Sequence, residues 1–150
     1  MFASFVNFFE KNFSGPQAEA DPQHALRLAV AALCVEMARA DMQEKPAELV
    51  RARQMLAQRF ALSDADAEAL IAAGRKQSDQ SVSLFHFTRV LNAQLDDTQK
   101  RTLLEMLWRV AYEDGVLDKY EDALMHKLAE LLYVPLVELM RAKNLALAQK

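Results

Sequence analysis

Three carboxylates crowd one short loop: Asp114, Asp118 and Glu121 all fall within Asp114-Gly115-Val116-Leu117-Asp118-Lys119-Tyr120-Glu121. Oxygen ligands gathered at a sharp turn suit a hard divalent cation, so calcium, magnesium or manganese fits this loop better than zinc. In the first half of the chain Asp41 and Glu48 repeat the spacing of Asp114 and Glu121. The pattern is not an EF-hand, which needs more acidic positions and a Glu at its twelfth place. Helix capping accounts for part of it with no ligand at all. Gly115 in the left-handed conformation ends one helix, Asp118 caps the next, and Glu121 at the third helical position completes a capping box. Pro46 and Glu48 fit the corresponding roles in the first half. Asp41 and Asp114 resist that explanation, because each is expected in the last turn of a helix, where the macrodipole disfavours a negative charge by roughly 0.3–1 kcal/mol. Their compensator is either a set of backbone N–H groups at a neighbouring helix start or a bound cation.

Other chemistry finds little footing. His24, His86 and His126 have no Cys or His at ligand spacing, so a zinc site is not expected. There is no Gly-rich phosphate loop and no nucleophile elbow, so neither a catalytic residue nor a small-molecule substrate is predicted. A formal net charge of -3 argues against nucleic-acid binding, whose affinity comes from clustered Lys and Arg on phosphates. Cys34 is the one cysteine, which rules out an intramolecular disulfide; it falls on an apolar stripe and reads as a small buried hydrophobe. A cytoplasmic protein is the expectation. Arg51, Arg53 and Arg59 read as a solvated helix face.

The elements that must position these residues are helical. Gly and Pro are scarce, and Ala, Leu, Met, Glu, Gln, Lys and Arg dominate. Residues 1–13 form an amphipathic segment with Phe2, Phe5, Val6, Phe9 and Phe13 along one face. A helix of that size is about 20 Å long, too short to cross a bilayer core of roughly 30 Å, and it lacks a signal peptide's basic start and cleavage site. Lys11 is its only basic residue, so docking on the body or on a second copy is expected rather than membrane contact. Ser14-Gly15-Pro16 and the polar run to Asp21 make residues 14–21 a linker. Residues 22–150 then form the main domain.

In that domain Asp21-Pro22 starts a helix to about residue 40, and Pro46 opens one to about Phe60. Ser63 and its acidic neighbours cap a third, expected to end at Gly74 before a polar stretch from Arg75 to Gln80. Ser83 starts a short helix with Leu84, Phe85, Phe87 and Leu91. Asp96-Asp97 start a long one to about Glu113, whose two apolar stripes predict a central position. Asp118 begins another, to about Leu132, and Pro135 the last. A shift of 73 residues lays Val30, Leu33 and Cys34 on Leu103, Met106 and Leu107, Asp41 on Asp114, and Glu48 on Glu121. The chain therefore reads as an all-α bundle of about seven to eight helices, made of two helix–loop–helix halves related by a pseudo-two-fold axis.

The element Ala111 to Glu121, its degenerate copy Ala38 to Glu48, and their separation resemble the tellurite-resistance TerB-like family, over about residues 22–142. The resemblance implies a helical bundle of related halves, linked to tellurite resistance and stress responses and not to catalysis. It also implies an acidic, metal-associated surface at Asp114, Asp118 and Glu121, with Asp41 and Glu48 as counterparts. The first half departs from the pattern: Met42 stands in place of the Gly and Lys45 in place of the second Asp. Two functions follow. One is a non-enzymatic, cation-binding stress or tellurite-resistance protein. The other is a protein-interaction or scaffold module, using the N-terminal helix or a bundle groove for a partner or for self-association, with no metal.

Overall fold

The computed structural model describes residues 22–40, 45–80, 83–113 and 115–148. The Phe-rich segment 1–13, the linker 14–21, Asp41 and Asp114 lie outside the described residues. Seven helices fill the rest: α1 (Pro22–Ala38), α2 (Pro46–Phe60), α3 (Asp64–Gln80), α4 (Phe85–Gln94), α5 (Asp97–Ala111), α6 (Lys119–Leu131) and α7 (Leu136–Ala148). Among the described residues there is no strand, and no helix is long and apolar enough to cross a membrane.

Local chemistry sets most of the boundaries. Asp96 accepts from the Gln99 amide at 2.8 Å while the Gln99 side chain bonds back to the Asp96 N–H at 2.9 Å, a capping box that starts α5. Ser63 accepts from the Asp66 amide at the start of α3, and Ser83 from the Phe85 amide at the start of α4. The first and fifth helices end at Ala38 and Ala111, a little earlier than the periodicity predicts. Asp41 and Asp114 follow those helix ends by three residues in sequence, outside the described residues.

Gly74 departs from expectation, because α3 runs straight through it to Gln80 and absorbs the supposed polar connector. Its role is close approach rather than termination: a Cβ here would come within 2.8 Å of the Ala31 carbonyl carbon on α1. The polar residues after it belong to the helix, with Ser78 donating to Glu36 at 2.7 Å.

The core confirms the duplication and extends it. On α2 the buried set is Glu48, Ala52, Met55 and Leu56; on α6 it is Glu121, Met125, Leu128 and Ala129, each 73 residues on. The fully buried Ala31, Cys34, Val35 and Ala38 of α1 correspond likewise to Leu104, Leu107, Trp108 and Ala111 of α5. Both second helices end alike. Ala61 and Tyr133 have φ of 54° and 59°, and the next amides, Leu62 and Val134, donate back to the carbonyls of Ala57 and Ala129. An aromatic ring sits under a cation at each end, Arg27 over Phe60 at 5.3 Å and Lys100 over Tyr133 at 5.9 Å. From these turns onward the offset is 72, and α3 and α7 obey it: Ala67, Leu70 and Gly74 match Leu139, Ala142 and Ala146, all buried. Each half is therefore a three-helix unit whose third helix packs along its first, and α4 is the connector.

Candidate functional site

The two helix–loop–helix units meet through their own equivalent residues. Lys45 immediately precedes α2 and Asp118 immediately precedes α6, in equivalent positions, and the Lys45 ammonium donates to Asp118 Oδ2 at 2.6 Å. Glu48 and Glu121, also equivalent, face each other carboxyl to carboxyl. Two points related by a two-fold axis touch only beside that axis, so these four side chains mark it. Lys45 reaches both glutamates as well, 3.4 Å from Glu121 Oε1 and 3.5 Å from Glu48 Oε2.

Burial sharpens the electrostatics. The side chains of Glu48 and Glu121 are fully buried, whereas Lys45 is 22% and Asp118 26% exposed. Burial raises the Glu121 pKa, and the Asp118 charge adds to that, against hydrogen bonds from Glu48 and the Asp118 amide. Two neighbouring carboxyls ionise together only at a cost. Partial burial alone would pull the Lys45 ammonium down, but its bond to Asp118 and the charges of Glu121 and Glu48 carry it well above the ordinary lysine range. For Asp118 the same burial is outweighed by Lys45 and by backbone amides, and its pKa falls.

Both Asp118 oxygens and one oxygen of Glu121 are committed, whereas Glu121 Oε2 is buried with no hydrogen-bond partner among the described residues. Asp118 Oδ1 accepts from the Glu121 amide at 2.8 Å, Glu121 Oε1 from the Asp118 amide at 3.2 Å, and Asp118 Oδ2 from Lys45. The predicted capping box is present, and the ammonium stands at the middle of the three carboxylates. Among the described residues no group of three or more His, Cys, Asp or Glu is arranged to hold a metal ion. Of the five carboxylates proposed from sequence, Asp118, Glu121 and Glu48 are thus brought together. Asp41 and Asp114 lie outside the described residues. Beside the loop, Gly115 has φ of 83° with nothing near its missing Cβ, and Glu113 lies 3.5 Å from Arg51.

Lys45 is the residue that sequence reasoning underused. It stands out as a departure from the acidic pattern, and the repeat offset carried the signal, since it pairs Lys45 with Asp118. Opposite charges at equivalent positions of a two-fold assembly attract where the axis passes. The arginines lie on a partly exposed helix face and also pair along it: Arg53 bonds Glu68 at 2.8 Å and Arg59 stacks over Phe60 at 5.7 Å. His126 lies 3.6 Å from Asp122 and His86 packs edge-on against Phe87. Cys34 is fully buried, and burial pushes its thiol up to about 12.

Fold and centre together define an internally duplicated all-α domain whose centre sets one lysine among three carboxylates. Residues 27–144 match the family model of the tellurite resistance protein TerB. The chain belongs to the TerB family. No curated protein and no solved structure matches it.

Proposed function

We propose that this chain is a non-enzymatic TerB-family domain that works as a protein-interaction module, and that its central carboxylates hold the two halves together rather than a metal. The observation that carries the reading is the position of Lys45: a covalently tethered cation occupies the place among Asp118, Glu48 and Glu121 that a divalent ion would need. The surface supports it too. On the outer side of α7, Leu136, Val137 and Leu145 are each at least half exposed, whereas the equivalent positions of α3 include Asp64 and Ala65. Apolar patches on an otherwise charged surface are where protein contacts form.

Thermal shift tests the reading. Calcium, magnesium and manganese should each leave the melting temperature of the full chain unmoved, because a cation without a site stabilises nothing. The cation-binding alternative rests on Asp114 and Asp41, which lie outside the described residues, with Gly115 supplying the turn. It predicts stabilisation of about 2.7 kcal/mol at a hundredfold excess over Kd, abolished by Asp114→Ala. Such a shift would overturn the interaction reading. Family membership supports a role in tellurite resistance or stress response, to be checked by whether expression raises the tellurite tolerance of a sensitive host.

A further inference from the structure

A groove of about 240 Å³ opens between α1, α2 and α5, floored by Leu26, Val30, Met55, Leu103 and Met106 and closed at one side by Phe60. It is too small for a drug-sized ligand or cofactor, whose pockets run from roughly 300 to 1,000 Å³. Its size suits a side chain or two from a docked helix. Arg59, Arg109 and Glu105 stand among its lining residues, and Arg109 is bonded to Glu105 at 2.7 Å, so Arg59 leaves the mouth net basic as well as apolar.

We propose that the occupant is the chain's own N-terminal segment, residues 2–13, with Phe5 and Phe9 entering the groove. Tether length carries the argument. The described chain begins at Pro22, and Leu26, one helical turn later, already lines the groove. The eight linker residues 14–21 span up to about 27 Å when extended, more than enough to turn back over α1. Phe2, Phe5, Phe9 and Phe13 repeat at three and four residues, so a helix would present them together. Glu10 falls at the edge of that stripe, able to meet Arg59, while Ser4 and Lys11 fall on the opposite side. A greasy stripe tethered beside a basic-rimmed apolar groove finds it at high effective concentration, ahead of any partner in solution.

The test uses the full chain with Ser4→Cys carrying a nitroxide and with carbon-13 methionine methyls as reporters. Cys34 is fully buried with a raised pKa, so the label goes to position 4. The Met55 and Met106 methyls should lose at least half of their intensity, and Met140, half-buried on α7 and not among the groove's lining residues, should keep its own. The loss should vanish with Phe5→Asp and Phe9→Asp together, and in a mixture where label and isotope sit on different chains. Absence of selective broadening at Met55 and Met106, or its survival in the Phe variants, would overturn the proposal. Equal broadening in the mixture would do the same, placing the segment of a second copy in the groove.

Discussion

Removing the charge of Lys45 leaves Asp118, Glu48 and Glu121 without their common counter-ion. Breaking a buried ion pair from one side costs about 3–5 kcal/mol; partial exposure of Lys45 and Asp118 puts Lys45→Met near the lower end, at about 3 kcal/mol near neutral pH. The loss should shrink as pH falls towards 4, where the stranded carboxyls take up protons, and urea melts at several pH values would read it. Glu121 makes a separate prediction. Its folded pKa lies above the unfolded one, so its contribution is complete below about 4.5 and is lost as pH rises through the folded value. Glu121→Gln keeps an oxygen for the Asp118 amide but needs no proton. Its melting temperature relative to the parent should therefore climb from pH 4.5 to pH 8, and a constant difference would contradict the raised pKa. Asp118 acts in the opposite sense: its depressed pKa gives stability above about 3.8 that disappears as pH falls through the folded value.

The helices differ in how plainly the sequence announces them. Asp96 and Asp118 are readable as caps because a side chain that accepts from the third amide has a fixed spacing, and both do so here. Gly74 was not readable, because a glycine at a helix end and a glycine at a helix crossing look the same until the crossing is known. Gly74→Ala would press a methyl against the Ala31 backbone at 2.8 Å; such overpacking costs about 1–3 kcal/mol, seen as a lower melting temperature. Ala61 should respond in the other direction. Its φ of 54° is left-handed, and Ala61→Gly should stabilise the chain by about 1 kcal/mol, since glycine adopts that conformation without penalty. A decrease in stability would mean that the Ala61 methyl has a packing role that outweighs the strain.

At the scale of the molecule, the duplication was legible for α1, α2, α5 and α6, whose apolar and acidic residues recur at one offset. The third helices escaped notice because the stretch from Glu121 to Leu139 is one residue shorter than that from Glu48 to Ala67, and because their outer faces differ, with Leu136 and Val137 where α3 has Asp64 and Ala65. The centre was legible only as chemistry. Asp118, Glu121 and Glu48 stood out as carboxylates, but their meeting depends on how the halves cross, which no local pattern encodes. Once the halves are related by a two-fold axis, Lys45 and Asp118 become interchangeable positions on either side of it. The charge swap Lys45→Asp with Asp118→Lys tests that directly. Each single change should cost about 3 kcal/mol or more, since it leaves like charges facing one another at a buried centre. The swapped pair should return to within about 1 kcal/mol of the parent, with a helix cap lost before α6 and one gained before α2. A double variant no more stable than the weaker single would contradict an axis passing between these two residues.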